Sequence, residues 1–417
     1  MSELYIQGGT PLEGTLTVQG AKNSVLPLLA ACLLVPGTVE LSNCPVLSDV
    51  SAAMDILRHL GCRTRRSGHT VTVDASGLTG ASVEETQMQA MRSSIIFLGP
   101  LLARMGEAHV TCPGGCELGP RPIDLHLQAI RAIGCRGEED SDGIHCYGKP
   151  RGGEVLLSIP SVGATENAML CAVGGSGSTT ITNAAREPEI VQLQEFLNGL
   201  GARVRGAGGS VITVEGGRPL HSGSCTVIGD RIVAATLLSA AAAAGGEVCL
   251  SGVDWRHLSP VLAVLHQAGC KVQSTEEQIV LSRSKAVALR SVSTIRTAPY
   301  PGFPTDAQAP TMAALCTAAG STVFVETMFD SRYRHVAELC RMGADIVTEG
   351  RVAVVRGVDR LHGARVTATD LRGGGALAVA ALAAEGDTIL TGVHHIDRGY
   401  EALEEMLRQL GGRVSRH

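Results

Sequence analysis

Lys22, Arg92, Arg231 and Arg372 each stand beside the predicted start of a helix, in the segments GAKNS, MRSS, GDRI and TDLRGG. A cation there opposes the helix macrodipole, so the local rule is broken four times at corresponding places. An anionic ligand held between the cation and the unpaired backbone N–H groups would resolve the conflict. Arginine's planar fork suits phosphate and carboxylate. Further loops add Arg121 in GPRPIDLH, Arg332 in FDSRYRHV and Arg398 in HIDRGYE. A chain of net charge −5 that gathers cations in this way suits a ligand with several negative charges.

The acidic residues at the same helix starts have an ordinary explanation. Asp230 and Asp370 read as N-caps, and Thr305 with Gln308 reads as a capping box that places Asp306 in the first turn. The loop CPGGCELGPRPIDLH offers different chemistry. Cys116 follows Gly114 and Gly115 and has Arg121 nearby, a setting that lowers a thiol's pKa and exposes the sulfur. The alternative is an inert cysteine, one of 13 in the chain. GGSGSTT, by contrast, lies between a helix and a strand, the wrong order for a phosphate loop, and reads as a turn.

A sixfold repeat must position these residues. A helical pattern ending at a glycine and followed by a short β-rich stretch recurs at Gly61, Gly134, Gly201, Gly269, Gly343 and Gly411. The spacings are 73, 67, 68, 74 and 68 residues. Each marker reads as a left-handed residue closing a helix. Upstream of each lies an Ala/Leu-rich helix and then a β-branched strand, as in LLSAAAAAGGEVCLSG, so the repeat is a β-α-β-α-β-β module. Solenoid repeats run about 20–50 residues, which disfavours a scaffold.

Three modules in each of two α/β domains fit a length of 417 residues. The predicted domains are 22–229, carrying the Cys116 loop, and 1–21 plus 230–417. The first 21 residues read as spare strands that complete the last module, so that two crossings, near Lys22 and Asp230, join the domains with hinge geometry.

Composition narrows the function. At 44% hydrophobic and 18% charged, the chain is globular. Negative net charge with 3% aromatics argues against nucleic acid. Dispersed cysteines without a CxxC argue against a disulfide framework or structural zinc and favour a reducing cytoplasm. No apolar run reaches the length of a membrane span, and the stretch after Lys22 makes a poor signal peptide because Pro27 interrupts it.

The ordered segments QGAKNSVLPLLAA, MRSSIIFLGPLLAR, PGGC-x-LGPRPIDLH, PSVGATEN, NAAREPEIVQL, RTAPYPGFPTDAQA, ETMFDSRYRHVAEL, ATDLR and HHIDRGYE together resemble the UDP-N-acetylglucosamine enolpyruvyl transferases over essentially the whole chain. The resemblance implies two inside-out α/β barrel domains of threefold pseudosymmetry closing over a cleft. It also implies transfer of the enolpyruvyl group of phosphoenolpyruvate to the 3′-hydroxyl of UDP-N-acetylglucosamine, the first committed step of peptidoglycan synthesis. It implies no cofactor, no metal and no obligate protein partner.

Carried over residue by residue, Lys22 and Asn23 resemble part of the phosphoenolpyruvate site, Lys22 also as a catalytic residue, with Arg121, Arg372 and Arg398 as further anion clamps. Arg92, Arg121, Pro122, Ile123, Asp124, Leu125, Ser161, Val162, Gly163, Asp306 and Met328 resemble contacts to the nucleotide sugar, and Arg332 is a further substrate-side cation. Cys116 matches a proton-donating loop cysteine, open to covalent adducts with phosphoenolpyruvate and to alkylation by an epoxide of the fosfomycin type. Asp306 matches the group that deprotonates the hydroxyl. Gly229, Val233, Ser331 and the glycines after Arg372 depart from the commoner pattern. Two rival readings remain: the sister enzyme acting on shikimate 3-phosphate, and a noncatalytic nucleotide-sugar binder, which would be expected to have lost Cys116, Asp306 or Lys22.

Overall fold

A computed structural model of the chain describes residues 2–91, 93–111, 123–276 and 278–417. It divides into two compact units. One runs from Gly20 to Ile228 over its described residues, and the other joins the segment ending at Gln19 to Gly229–His417. Each has its own apolar core, formed by residues such as Leu29, Phe97 and Leu170 in the first and Leu238, Met312 and Leu382 in the second.

Each unit holds three four-stranded sheets. In the sheet formed by Gly223–Thr226, Thr38–Ser42, Thr70–Asp74 and Arg63–Ser67, the first pair is parallel and the other two are antiparallel. The remaining sheets repeat this order, and in each the parallel strand belongs to the neighbouring module. That exchange closes each set of three sheets into a ring. Strands such as Leu4–Gln7 alternate buried and exposed residues, so one face of the sheet turns inward and the other outward.

The inward faces cover helices. Arg231–Ala244 is buried at every position, and it packs against both Thr305–Leu315 and Leu371–Ala383, which also pack on one another. A helix apolar all round needs cover on all sides, and alanine lets three such helices approach closely. In the other unit, Lys22–Ala31, Leu98–Met105 and Val162–Val173 are the corresponding inner helices. Sheets outside and helices inside make both units inside-out α/β folds.

All six marker glycines adopt positive φ, from 83° at Gly411 to 104° at Gly269, as a helix-closing residue requires. The N-terminal strands differ from expectation. Only Leu4–Gln7 enters the last sheet, between Asp387–Thr391 and Arg413–Arg416. Leu12–Thr17 instead pairs in parallel with Gly246–Ser251, because each ring needs a parallel strand from the preceding module to close. Gly229 stands at the start of the second stretch, where a Cβ would lie 1.9 Å from the carbonyl oxygen of Gly252, so this close approach requires glycine.

Candidate active site

Three inner helices begin with the cations singled out in the sequence. Lys22 opens Lys22–Ala31, Arg231 opens Arg231–Ala244, and Arg372 is the second residue of Leu371–Ala383. Asp230 and Asp370 cap the latter two. Asp230 Oδ1 accepts from the N–H groups of Ile232 and Val233 at 2.8 and 3.0 Å. Asp370 Oδ1 accepts from those of Arg372 and Gly373 at 3.0 and 2.9 Å. These helices therefore have part of their terminal N–H groups satisfied from within.

The capping box expected at Thr305 and Gln308 does not form. The N-cap is Pro304 and has no side-chain cap. The Thr305 hydroxyl donates instead to Glu326 Oε2 at 2.9 Å, and Gln308 turns into the core, its Nε2 3.7 Å from the Met312 sulfur. Glu326 is buried and also accepts from the N–H groups of Met328 and Phe329 at 2.7 and 3.2 Å. One carboxylate thus outcompetes the local cap and fixes both the start of the helix and the loop bearing Met328.

With its cap lost, Asp306 finds partners elsewhere. Arg332 Nη2 donates to its Oδ1 at 2.7 Å and to the Thr305 carbonyl at 3.0 Å. Arg372 Nη2 reaches Oδ2 at 3.4 Å. The arginine side chains are 3% and 5% exposed, and that of Asp306 is 29% exposed. Burial alone would raise the Asp306 pKa, but the nearby Arg372 and Arg332 outweigh it and hold the carboxyl well below the usual carboxylate range. His335 lies buried in the same unit. Burial first, and Arg332 in addition, hold its imidazole at about 4, against the opposing pull of Asp370, so the ring is neutral near pH 7.

Arg372 is supported from below by Tyr400, whose ring centroid lies 5.8 Å from the guanidinium carbon. The Tyr400 hydroxyl is 2.9 Å from that of Thr236. Gly375 makes room for this ring, since a Cβ there would lie 2.6 Å from the tyrosine oxygen. Tyr400 is fully buried and cannot swing aside. Gly375→Ala should therefore lower stability by up to roughly 2 kcal/mol, overpacking of about 1–3 kcal/mol outweighing the gain of ~1 kcal/mol in helix propensity. The urea midpoint reads this directly, and a midpoint that rises would mean the ring yields freely.

The other unit carries Lys22. Its Nζ sits 2.5 Å from Asp49 Oδ2, and the side chains are 9% and 0% exposed. Asp49 lies in the first turn of Ser48–His59. In the same unit a buried network ties together two segments expected to contact a nucleotide sugar. Asn167 Oδ1 accepts from Gly99 N–H at 2.7 Å, and its Nδ2 donates to the Ile95 carbonyl at 2.9 Å and faces His126 Nδ1 at 2.8 Å. The amide orientation makes His126 Nδ1 an acceptor. His126 belongs to Asp124–Ala132, which carries Asp124 and Leu125, and its ring packs where a Gly163 Cβ would lie 3.1 Å away. Ser161 caps Val162–Val173, accepting from Ala164 N–H at 3.4 Å.

The structure brings together Asp306, Arg332 and Arg372, and it sets Asp124, Leu125, Ser161, Val162 and Gly163 on two packed helices. Asn23 and Ile123 are half-buried, Met328 is exposed, and Arg398 ends the short helix Val393–Arg398. Arg92, Cys116, Arg121 and Pro122 lie outside the described residues. Asp49, Glu326, His335 and Tyr400 were missed by sequence reasoning. Asp49 is indistinguishable in sequence from any first-turn aspartate, and no local signal marks the others. Among the described residues no helix is long and apolar enough to cross a membrane.

Comparison with known proteins agrees from end to end. The family of EPSP synthase (3-phosphoshikimate 1-carboxyvinyltransferase) matches over residues 6–407. UDP-N-acetylglucosamine 1-carboxyvinyltransferase 2 of Caldanaerobacter subterraneus is 47% identical over the full length of both chains. UDP-N-acetylglucosamine 1-carboxyvinyltransferase 1 of Symbiobacterium thermophilum is also 47% identical, over 100% of this chain and 95% of its own. The enolpyruvyl transferase NikO of Streptomyces tendae superposes with a TM-score of 0.90 at 25% identity, covering 100% of this chain and 98% of its own. EPSP synthase of Acinetobacter baumannii shares the fold at a TM-score of 0.74 and 18% identity. With helices inside, sheets outside and this likeness along its whole length, the chain belongs to the enolpyruvyl transferase (EPSP synthase) family.

Proposed function

We infer that this protein transfers the 1-carboxyvinyl group of phosphoenolpyruvate to the 3′-hydroxyl of UDP-N-acetylglucosamine, releasing phosphate, as the first committed step of peptidoglycan synthesis. The observation that carries this reading is 47% identity over both full lengths to a relative named for that transfer. The enzyme of shikimate 3-phosphate is the weaker reading, because its solved examples stand at 18–19% identity. The phosphorylated substrates place the reaction in the cytoplasm.

The chemistry defines what the residues must do. The alcohol oxygen bonds to C2 of phosphoenolpyruvate while a proton adds to the vinyl CH₂, giving a tetrahedral ketal. The ketal then loses phosphate and a methyl proton to restore the double bond. An acid, a base and several cations are required. In our reading Cys116 supplies the proton and Asp306 takes that of the hydroxyl. Lys22, Asn23, Arg121, Arg372 and Arg398 hold phosphoenolpyruvate. Arg92, Arg121 to Leu125, Ser161 to Gly163, Met328 and Arg332 hold the nucleotide sugar. Lys22 is held in place in this scheme by its ion pair with Asp49.

Phosphate release should require phosphoenolpyruvate together with UDP-N-acetylglucosamine. Release only with shikimate 3-phosphate would overturn the assignment. For Cys116, the expected pattern is activity in Cys116→Asp without alkylation by a phosphonate epoxide, and loss of most turnover in Cys116→Ser, whose hydroxyl is a far weaker acid. Mass spectrometry that maps the adduct to another cysteine would remove Cys116 from this role.

A further inference from the structure

The Asp306 cluster contains more donors than it uses. Arg332 Nη2 is committed twice, at 2.7 Å to Asp306 and at 3.0 Å to the Thr305 carbonyl. Arg372 holds Asp306 more loosely, at 3.4 Å, and its guanidinium also rests on Tyr400. Among the described residues, its Nη1 is buried with no hydrogen-bond partner, as is Arg332 Nε. Buried guanidinium N–H groups are costly to leave unmet. Asp230 and Asp370 each cap a helix through Oδ1, and neither makes a hydrogen bond to the two arginines among the described contacts. Asp306 is the carboxylate that both arginines contact, and Arg372 is the partner held less tightly.

We infer that Asp306 serves as an internal anion competing for Arg372, so that a phosphate or carboxylate ligand binds this arginine only by drawing it away from the aspartate. Two anions cannot both take the same guanidinium edge, and each weakens the other's hold. Within the reaction proposed above, on which this consequence rests, arrival of phosphoenolpyruvate releases Asp306 from one of its two cations. The carboxylate then regains basicity once the second substrate is in place. Before that point the base is held in an unreactive state by the same side chains that will bind the anion.

The inference makes a prediction opposite to that for an ordinary binding residue: removing Asp306 should tighten anion binding. Isothermal titration of the whole protein with inorganic phosphate, and separately with pyruvate, at low ionic strength compares wild type with Asp306→Asn. We expect at least one anion to bind about tenfold tighter to the variant, the size of a lost charge-assisted hydrogen bond. Asp330→Asn is the control for net charge, because Asp330 is 63% exposed and pairs with Arg351. It should leave both affinities unchanged. Asp306→Ser removes the same carboxylate and gives an independent reading should the asparagine variant fold poorly. Unchanged or weaker binding of both anions in the Asp306 variants, an equal gain in Asp330→Asn, or no binding to any of these proteins would overturn the inference. The isotherms need neither sugar nor turnover. A protein inactive in the phosphate-release assay that still shows the gain would sink only the functional reading.

Discussion

Asp306→Asn is expected to lower turnover by about 10² to 10⁴, the range for loss of a positioned acid or base. The amide keeps the shape of the carboxylate and can still meet a sugar hydroxyl, so affinity for UDP-N-acetylglucosamine should hold. The apparent KM for phosphoenolpyruvate should fall along with kcat, because Arg372 and Arg332 lose the competitor that now sits at 3.4 and 2.7 Å. That combination separates a base from a helix-stabilising residue. A first-turn aspartate that only complements the dipole would, on substitution, cost about 0.3–1 kcal/mol of stability and leave both kinetic constants near normal. Steady-state kinetics against each substrate in turn makes the distinction, and near-normal turnover would reduce Asp306 to such a residue.

The second large effect concerns stability. Asp49→Ala would leave the Lys22 ammonium buried without its carboxylate, a change that costs about 3–5 kcal/mol. Lys22 also opens a helix whose dipole disfavours a cation, so Asp49 offsets two penalties at once. Urea unfolding near pH 7 should show the full loss. The double variant Lys22→Met with Asp49→Leu removes both charges and should recover much of it, since a buried pair is often replaced by apolar residues without net cost. Recovered stability with abolished activity would show that the pair is kept for the ligand. A double variant as unstable as Asp49→Ala would instead mean that Lys22 is needed for folding.

Much of the architecture could be read from local pattern. The six marker glycines, the inner Ala/Leu-rich helices and the caps at Asp230 and Asp370 depend on residues a few positions apart, and backbone geometry enforces them wherever the segment lies. The cations at helix starts were equally legible, because each violates a rule that operates within one turn. The family resemblance added roles for Cys116, Arg92, Arg121 and Pro122 that lie outside the described residues.

Tertiary structure decided which of these groups meet. Asp306 lies 26 residues from Arg332 and 66 from Arg372, and its partners are set by ring closure among modules that carry no pairing code in sequence. The capping box at Thr305 fails for the same reason. Its local hydrogen bonds compete with Glu326, buried 21 residues away and in need of donors, and an unsatisfied buried carboxylate costs more than a lost cap. The N-terminal strands show the rule once more, since Leu4–Gln7 and Leu12–Thr17 have similar β character and enter different sheets. Local sequence determines the elements and their ends, because those energies act within a turn or two. Only the packed chain decides who shares a buried charge, because burial makes an unpaired charge expensive and leaves few arrangements in which every one is matched.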